Sequence, residues 1–420
     1  MIKKNKKILS LFSGCGGMDL GFEGGFDVLR KSINKTIHPE WVNGSPEADK
    51  WIKLPQTSFE TVFANDIRVG AKAVWGRNFP KYGINDVYKK FHIESIVDIC
   101  KNTELLDSLP EIDIITGGFP CQDFSVAGKR NGFESHKSHT GKLLNDDDDA
   151  SVENRGMLYY WMRDIISTLR PKVFIAENVK GLTTLADVKE IIENDFRSIG
   201  ESGYIVVPAR VLKAPEYGVP QSRERVIFIG LNREKLTNKA IIELEKNTLS
   251  PEYDPYPVKT HLFGKSEEND LLLPFVNIQD SIYDLDEPEN SDDISHKTYS
   301  KAKWYGKHCQ GQTEVLPSKV GPTIRSEHHG NIEYRRLSEE HGGVQISELK
   351  SGLKERRLTV RECARIQTFP DDFDFVANNK HEFRVSGSEA YKLIGNAVPP
   401  LLAYHIAKRL EKLWPLYFGE

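Results

Sequence analysis

The sequence predicts an α/β fold in which a mostly parallel sheet is followed by a smaller, irregular domain. Short β-rich runs alternate with helix-like segments up to Leu231, which is typical of a parallel sheet with helices on both faces. After Leu231 the alternation stops. Residues 232–300 become rich in Asn, Glu, Asp, Pro and Ser, and residues 301–355 carry glycine turn signals without a helical period. A chain of 420 residues also exceeds one comfortable hydrophobic core, so we expect two domains.

The first domain contains five predicted strands and parts of two predicted helices. The strands are residues 8–12, 61–65, 112–116, 172–176 and 226–230, and the helical segments are residues 164–169 and 188–199. Long connections at residues 33–58 and 134–154 interrupt the alternation. Because ligands of such sheets bind at the carboxyl ends of the strands, we expect the functional site at that edge.

Composition argues against a membrane segment, a disulfide and a structural metal. Hydrophobic residues make up 39% of the chain and charged residues 28%, as in ordinary globular proteins. No apolar run reaches the roughly eighteen residues that a membrane span needs, so we expect a cytoplasmic protein that does not contact membranes. The cysteines are Cys15, Cys100, Cys121, Cys309 and Cys363. They form no C-x-x-C pair and no zinc spacing, which predicts free thiols.

The net charge of −4 excludes nucleic-acid binding by bulk electrostatics, because phosphate binding rests on Lys and Arg. Any such surface must be local. Residues 301–357 contain eleven Lys or Arg against seven Asp or Glu, together with His308, His328 and His329. The acidic bias lies elsewhere, notably in the four aspartates of residues 146–149. The local excess predicts a basic patch, with an ordinary solvated surface as the alternative.

Residues 117–125, GGFPCQDFS, place one cysteine at the mouth of a loop that follows an apolar strand. Pro120 fixes the backbone before Cys121, and the two preceding glycines let the chain turn without blocking a planar ligand. A lone free cysteine is more often a buried core residue, which is the alternative for Cys121. The neighbouring motifs favour an exposed thiol that is aimed at a ligand.

Seven short motifs follow one another in the order found in a known family. They are FSGCGG at residues 12–17, PCQ at 120–122, RGML at 155–158, ENV at 177–179, QSRER at 221–225, RECAR at 361–365 and GNAV at 395–398. With these motifs the chain resembles the bacterial DNA (cytosine-5-)-methyltransferases that accompany restriction enzymes. The resemblance covers about residues 6–231 and 356–410 and is weak between them.

The resemblance implies a Rossmann-like, S-adenosylmethionine-dependent methyltransferase domain and a smaller target-recognition domain. It implies a catalytic and cofactor-binding domain at residues 1–231, a target-recognition domain at residues 232–385, and a segment at residues 386–420 that returns to the catalytic domain. It also implies double-stranded DNA as the substrate, S-adenosylmethionine as the cofactor, and a cognate restriction endonuclease as a candidate partner. We expect a monomer.

The first glycine-rich motif predicts a cofactor loop. Gly14, Gly16 and Gly17 lie between a strand and a helix-like stretch, where the backbone can approach a ligand closely. A nicotinamide dinucleotide site is disfavoured, because Asp19 stands where G-x-G-x-x-G requires glycine. Asp66 ends the next strand and is placed to accept hydrogen bonds from both ribose hydroxyls. A helix cap or an exposed turn is the alternative for this carboxylate.

The resemblance assigns further residues to the cofactor pocket. Asp98, followed by Ile99, matches the family's position for an acid that binds the adenine amino group. The other matched pocket positions are Phe12, Ile67, Pro120, Leu158, Asn396 and Val398. Asp66 departs from the more usual Glu of the family.

Methylation at carbon 5 of cytosine needs an added nucleophile, because that carbon is too weakly nucleophilic to attack a methyl donor. Cys121 fits this task, since its addition at carbon 6 pushes electron density to carbon 5. Glu177 ends an apolar strand, where a proton donor could relieve the charge at nitrogen 3. For that role Glu177 must be buried and protonated, and a surface carboxylate is the alternative. Asn178 would orient the adjoining loop.

Gln221, Arg223 and Arg225 are spaced by two, so on a strand all three would point to one face. Such a face predicts a strand edge that borders a polar cleft. Surface salt bridges, for example with Glu224, are the alternative. The resemblance implies that Arg223 contacts the base oxygen and that Arg225 braces the same site.

A cytosine inside a duplex is out of reach of an enzyme's reactive groups, so it must be flipped out at a cost of a few kcal/mol. The loop after Cys121 is small and basic enough to close over DNA. Its candidate contacts are Gln122, Ser125, Lys129 and Arg130.

The recognition domain supplies a second set of candidate DNA contacts. They are Gln310, Thr323, Arg325, His328, His329, Arg335 and Arg336. Residues 321–325, GPTIR, resemble the family's short Thr-Ile or Thr-Leu element, which positions the recognition loops. The basic side chains offer donors for guanine edges and phosphates, and a solvated basic surface is the alternative.

Three other functions fit parts of the sequence. An RNA-directed enzyme of the same fold would keep the motifs, but the large region at residues 232–355 favours DNA. A catalytically silent DNA-binding relative would not need Cys121, Glu177, Arg223 and Arg225 intact. A small-molecule methyltransferase would need neither the Pro-Cys dipeptide nor a separate basic domain.

Overall fold

The computed structural model of the protein describes residues 6–42, 44–120, 158–184, 187–264, 270–305, 311–326, 332–377 and 383–420. The predictions for Cys121 and for the loop that follows it therefore lie outside the described residues. The same holds for part of the recognition domain. The predicted site residues concerned are Cys121, Gln122, Ser125, Lys129, Arg130, Gln310, His328 and His329.

The described part of the chain forms strands and helices with the following bounds. The strands are β1 (Lys6–Leu11), β2 (Asp27–Leu29), β3 (Trp51–Lys53), β4 (Phe59–Asn65), β5 (Phe91–His92), β6 (Ile114–Gly118), β7 (Val173–Val179), β8 (Tyr204–Lys213), β9 (Glu224–Asn232), β10 (His261–Leu262), β11 (Leu273–Pro274), β12 (Tyr334–Arg336) and β13 (Arg356–Arg357). The helices are α1 (Gly17–Glu23), α2 (Val69–Asn78), α3 (Val87–Lys90), α4 (Ile96–Lys101), α5 (Thr103–Ser108), α6 (Leu158–Leu169), α7 (Val188–Arg197), α8 (Asn238–Leu244), α9 (Ile278–Ile282), α10 (Ile294–Lys297), α11 (Ile346–Lys350), α12 (Val360–Ile366), α13 (Gly387–Asn396) and α14 (Pro400–Phe418). None of the described helices is long and apolar enough to cross a membrane.

Seven strands form the main sheet, in the order β5-β4-β1-β6-β7-β9-β8. The first five of these are parallel, and β9 runs antiparallel to both β7 and β8. All five predicted strands belong to this sheet, which confirms the predicted α/β class with a mostly parallel sheet. Because the parallel strands end at one edge, the loops that follow β1, β4, β6 and β7 meet there.

Two apolar layers cover the sheet, because side chains alternate between its faces along each strand. Ile8 and Leu9 are adjacent in β1, yet they belong to different hydrophobic clusters. The first cluster includes the apolar side chains of α1 and α14, and the second includes those of α4, α6 and α7. The carboxyl-terminal helix α14 thus packs on the same face as the first helix of the chain.

Strand β8 was missed in the sequence because it contains Pro208. Proline cannot donate a ladder hydrogen bond, so it is tolerated in edge strands and at bulges. Strand β8 is the last strand of the sheet, and its pairing with β9 shifts register between Val207 and Arg210, around the proline. The position of Pro208 therefore agrees with an edge strand that carries a bulge.

A buried histidine predicts that acid destabilises the protein. His405 in α14 is 3% exposed and packs against Trp41, Tyr217 and His38, with ring centroids 4.7, 5.4 and 5.5 Å away. Burial, aided by the nearby His38 and His261, lowers the pKa of His405 well below its ordinary value. Below about pH 6.5, His405 therefore binds a proton in the unfolded state but stays neutral in the folded state.

We expect the free energy of unfolding to fall as the pH is lowered from 7 to 5, with a slope of up to about 1.4 kcal/mol per pH unit for each such proton. Urea unfolding at several pH values measures this slope. His405→Phe should give a smaller slope than the unmodified chain, since it removes the titrating group and keeps an aromatic ring in place. Equal slopes for the two proteins would contradict the assignment to His405.

Candidate active site

A cavity of about 460 Å³ lies where β1, β4, β6 and β7 end. Its wall contains eight of the residues predicted to bind the cofactor and two of those predicted to be catalytic. The cofactor residues are Phe12, Gly14, Asp66, Ile67, Pro120, Leu158, Asn396 and Val398, and the catalytic residues are Glu177 and Arg225. The structure thus brings together positions from one end of the chain to the other.

The loop between β1 and α1 is tied to the end of β4. The backbone N–H of Ser13 donates to the Asn65 carbonyl at 2.7 Å, and that of Gly14 donates to Asp66 Oδ2 at 3.1 Å. These bonds hold Phe12 and Gly14 in the left-handed region, with φ of 54° and 55°. A Cβ added at Gly14 would meet no atom within 4 Å, so this backbone borders open space in the cavity. The loop can therefore lie directly against a ligand.

The carboxylate of Asp66 is fixed by two backbone donors. Gly14 N–H binds Oδ2, and Arg68 N–H binds Oδ1 at 2.9 Å. Burial raises the pKa of Asp66 above its ordinary value, while the donors from Arg68 and Gly14 act in the opposite direction. Each oxygen retains acceptor capacity beyond one backbone bond, so Asp66 can accept hydrogen bonds from a ligand in the cavity.

Asp98 and Ile99 do not line the cavity, contrary to the expectation from the resemblance. Ser95 caps the amino end of α4, and its side chain accepts a hydrogen bond from the backbone of Val97. Asp98 lies in the first turn of this helix and is exposed, while Ile99 is 1% exposed in the apolar core. Asp98 lies about 200° around α4 from Ile96, which lines the cavity, so its side chain points away, whereas Ile99 lies one turn further along the helix and packs in the apolar core.

Ser95 and Ile96 line the cavity in their place. Asn65 at the end of β4 holds the chain just before them, because its side-chain amide donates to the Glu94 carbonyl at 2.7 Å. The sequence did contain a signal, since a serine directly before an apolar helical run is a typical N-cap at the carboxyl end of a short strand.

Gly16 is likewise outside the cavity wall. A Cβ at this position would lie 2.4 Å from Phe79 Cε2 and 2.7 Å from Trp75 Cδ1. Its φ of 88° also lies in the left-handed region. Gly16 is therefore required for the close approach of the loop to the aromatic side chains of the neighbouring helices, and Gly17 lines the cavity instead.

Glu177 and Arg225 form a nearly buried ion pair in the cavity wall. Arg225 Nε lies 2.6 Å from Glu177 Oε1, and the two side chains are 12% and 8% exposed. Glu177 pairs with Ile227 in the antiparallel ladder of β7 and β9, so Arg225, two residues away, lies on the same face. A Cβ at Gly118 would lie 2.8 Å from Glu177 Oε2, so a glycine at the end of β6 leaves room for the carboxylate.

Asn178 fixes the chain just before the predicted nucleophile. Its side-chain amide donates to the Phe119 carbonyl at 3.2 Å, and its own oxygen accepts from the backbone of Val179 at 2.8 Å. The next residue, Pro120, lines the cavity. The described chain thus reaches the cavity one residue before Cys121.

Gln221 and Arg223 do not share an open strand face with Arg225, because β9 begins only at Glu224. Arg223 is 1% exposed and donates to the carbonyls of Ile324 and Gly395 at 3.1 and 2.9 Å. Gln221 is fully buried, and its Oε1 accepts from the backbone of Ile324 at 2.9 Å. These two side chains join the sheet to residues 321–325, whereas Arg225 alone of the three reaches the cavity.

The predicted contacts in the recognition domain have mixed positions. Thr323 donates from Oγ1 to the Ser222 carbonyl at 2.7 Å, which holds its segment next to the sheet. Arg325 is partly exposed, with its guanidinium 3.6 Å from Glu333. Arg335 is 5% exposed, stacks on the Tyr283 ring and lies 3.1 Å from Glu348.

Arg335 is therefore part of a buried network and does not offer a donor to DNA, and Arg336 is 0% exposed between two glutamates. The predicted basic patch is smaller than its composition suggests. Four of the eleven basic residues counted there, Arg335, Arg336, Arg356 and Arg357, are buried. The guanidinium groups of these four arginines bind carboxylates and backbone carbonyls inside the fold. The exposed surface therefore carries less positive charge than the sequence predicts.

The doubly wound sheet and the cavity at its carboxyl edge define a Rossmann-like methyltransferase fold. The family model described as C-5 cytosine-specific DNA methylase matches residues 51–412, and the chain belongs to this family. It is a DNA (cytosine-5)-methyltransferase. This family membership confirms the predicted resemblance and disfavours a small-molecule methyltransferase.

Relatives match along nearly the whole chain. Type II methyltransferase M.BsuRI of Bacillus subtilis is 31% identical, over 98% of this chain and 80% of the relative. Type II methyltransferase M.BspRI of Lysinibacillus sphaericus is 32% identical, over 98% of this chain and 83% of the relative. Both similarities extend through the region in which the motif resemblance was weak.

Solved structures support the fold. The methyltransferase EhMeth of Entamoeba histolytica matches with a TM-score of 0.54 at 14% identity, over 99% of each chain. Dnmt2 methyltransferase of S. pombe matches with a TM-score of 0.53 at 16% identity, over 97% of this chain and 99% of the other. At these identities the likeness concerns the fold alone.

Proposed function

We propose that the protein transfers the methyl group of S-adenosylmethionine to carbon 5 of a flipped-out cytosine in a specific double-stranded DNA sequence, through a covalent adduct with Cys121. The observation that carries this proposal is the cavity itself. Its wall holds both the Gly14–Asp66 contact and the Glu177–Arg225 pair, and Pro120 lies between Asp66 and Glu177 in the chain.

The residues present fit S-adenosylmethionine, which supplies an electrophilic methyl group when bound. Asp66 offers fixed carboxylate oxygens for ribose hydroxyls, and the bare backbone at Gly14 allows close contact. The apolar side chains of Phe12, Ile67 and Leu158 provide walls for a flat purine ring. Ile67 is 48% exposed in the cavity wall, so its side chain is accessible to a bound ligand.

Cys121 would act as the nucleophile. Its thiolate sulfur forms a bond to carbon 6 of cytosine, and the electron pair of the 5,6 double bond moves to carbon 5, which then takes the methyl group. Loss of the carbon 5 proton to a base re-forms the double bond and releases the thiolate. Asn178 holds the Phe119 carbonyl and thereby orients the turn that carries the thiol.

Glu177 would bind the cytosine edge, take up a proton from solvent as the base enters the cavity, and pass it to nitrogen 3 during the addition. Arg225 holds this carboxyl group and directs it into the cavity, at an Nε to Oε1 distance of 2.6 Å. The buried position of Arg223 supports a different division of roles from the one expected in the sequence. Arg225 is the arginine placed to approach the base, and Arg223 braces the segments around the cavity.

We further propose that residues 232–385 read the target sequence. Thr323 and Arg325 support this role, because their segment contacts Ser222 and Gly395, and Gly395 directly precedes Asn396 of the cavity wall. The relatives named as type II methyltransferases support a role in protecting DNA from a cognate restriction endonuclease.

The direct test is to express the chain in a host without other cytosine-5 methylation and to map 5-methylcytosine in the host DNA. We expect one short sequence to be modified throughout the genome, and no modification with Cys121→Ala. Random or absent 5-methylcytosine with the unmodified, folded chain would contradict the proposal. Digestion of the same DNA by restriction endonucleases that cut the mapped sequence tests the protective role.

Asp66 lines the cavity and Asp98 does not, which gives a kinetic prediction for the cofactor. Asp66→Asn should raise the KM for S-adenosylmethionine about tenfold or more, since a carboxylate bonded to hydroxyls is lost while the shape is kept. Asp98→Asn should leave this KM unchanged, because Asp98 is exposed on α4 and outside the cavity. Steady-state kinetics with varied cofactor measure both. A raised KM for Asp98→Asn would restore the role that the resemblance implied.

A further inference from the structure

A lysine-bearing segment without acidic residues lies in the region after the main sheet. Residues 294–313 contain four lysines, at 297, 301, 303 and 307, and no Asp or Glu, in a chain whose net charge is −4. Lys297, Lys301 and Lys303 are described and exposed. Unlike the buried arginines nearby, these cations can meet phosphate groups at the surface.

The same segment presents an exposed tryptophan. All six tryptophans lie in the described residues, and Trp304 alone is exposed, at 59%. Tryptophan is normally buried to a large extent, because its side chain carries a large apolar area. Trp304 stands directly after Lys303, which combines an aromatic face with positive charge.

The backbone on both sides of Trp304 is held firmly. Its carbonyl accepts hydrogen bonds from Tyr334 Oη at 3.0 Å and from Arg357 Nη2 at 3.2 Å. Arg357 Nε also binds the Ala302 carbonyl at 2.8 Å. The ring of Tyr305 stacks on His341, with centroids 3.4 Å apart. With its neighbours anchored, Trp304 is held at the surface in advance of any partner.

Arg357 connects this segment to the cavity wall. It is 1% exposed, and its Nη1 donates to the carbonyls of Gly311 and Ile332. Glu333 directly follows Ile332, and its carboxylate lies 3.6 Å from the guanidinium of Arg325. A Cβ at Gly395 would lie 2.2 Å from the carbonyl carbon of Arg325, so the backbone segments around these two residues are in tight contact. The next residue, Asn396, lines the cavity.

We propose that Trp304 contacts the double-stranded DNA substrate beside the target cytosine, with Lys301 and Lys303 near the phosphates, and that Arg357 is the positioning residue that holds Trp304 for this contact. The inference rests on the proposed function in that duplex DNA is the substrate. A segment that contains no acidic residue and combines lysines with an exposed aromatic ring favours DNA over a protein partner, because phosphates pair with the lysines and the indole packs on sugars or bases.

Acrylamide quenching of tryptophan fluorescence tests the contact directly, with a duplex of mixed sequence and with one that contains the mapped target. Trp304 should dominate the quenchable signal, and bound DNA should protect it. Trp304→Phe should remove both the quenchable fraction and the protection. If DNA leaves quenching of the unmodified chain unchanged while binding is saturated, or if Trp304→Phe keeps the protection, the proposal is wrong.

A double-mutant cycle tests the role of Arg357. Trp304→Ala should weaken DNA binding about tenfold, with no change in the affinity for S-adenosylmethionine. Arg357→Lys should weaken DNA binding by a similar factor, and the double variant should be little weaker than either, because both changes remove one contact. Additive losses would overturn the positioning role of Arg357, and full affinity in Trp304→Ala would overturn the contact.

Two matched controls separate these effects from loss of structure. Arg336→Lys alters another fully buried arginine of the same small sheet, bound by Glu287 and Glu348, and should leave the Trp304 protection in place. Ile242→Ala removes an apolar side chain that is 64% exposed on α8 and should bind DNA normally. Since binding and quenching need no chemistry, their outcome is independent of whether the unmodified chain methylates the duplex.

Discussion

Replacing Cys121 with alanine is expected to reduce methyl transfer to DNA by about a thousandfold or more, because no other group supplies the nucleophile that activates carbon 5. Binding of DNA and of S-adenosylmethionine should persist. The ion pair of Glu177 with Arg225 and the bond from Asn178 to Phe119 do not depend on the thiol. Transfer of labelled methyl groups to a target duplex, with binding measured separately, checks both statements.

Cys100→Ala provides the matched control for this variant. Cys100 is a half-buried free cysteine of α4, and it does not line the cavity, so its loss should leave methyl transfer near the unmodified level. Serine at position 121 should also be inactive, since an alcohol is a poor nucleophile at neutral pH. A Cys121→Ser protein that methylates at the normal rate would contradict the covalent mechanism.

The fold was predictable where a strand is buried on both faces of the sheet, because such a strand is a continuous apolar run in the sequence. Residues 173–176 are all fully buried and read as one continuous apolar run, which is typical of a central parallel strand. Strand β8 could not be found in this way, because an edge strand with a proline at a bulge lacks that signature. Central strands of a sheet are thus easier to predict from a sequence than edge strands.

Residues of the cavity wall were predictable where a carboxylate directly follows a predicted strand. Asp66 and Glu177 were placed by that rule, and both line the cavity, although β7 continues past Glu177 to Val179. Asp98 was assigned by similarity of position alone, and the start of α4 at Ile96 turns it to solvent. Likewise, the spacing of Arg223 and Arg225 suggested one strand face, but the local strand starts between them. A shift of one or two residues in an element decides which side chains reach a site.

The charge of the recognition region shows a different limit of sequence reasoning. The arginines of β12 and β13 are buried and have partners far away in the chain, such as Glu287, which lies 2.6 Å from Arg336. Composition counts a buried and an exposed arginine alike. Only the three-dimensional partners show that Lys301 and Lys303, and not Arg335, remain available at the surface.

Replacing Glu177 with glutamine is expected to lower kcat by about 10²-fold to 10⁴-fold, because an amide of the same shape cannot supply the proton at nitrogen 3. The KM for S-adenosylmethionine should change little, since the proposed cofactor contacts are made by Asp66 and Gly14. Rapid-quench measurement of a single turnover isolates the chemical step from product release.

Glu216→Gln is the matched control for Glu177→Gln. The side chain of Glu216 is 7% exposed, close to the 8% of Glu177, and it is also paired with a cation, with Oε1 2.9 Å from Lys259 Nζ, but it lies outside the cavity wall. If loss of a buried, paired carboxylate merely weakened the fold, both variants should lose activity together with stability. Loss of the single-turnover rate in Glu177→Gln alone, with unchanged thermal unfolding, would identify the carboxyl group as part of the base site. A normal single-turnover rate with a raised KM for S-adenosylmethionine would instead assign Glu177 to cofactor binding.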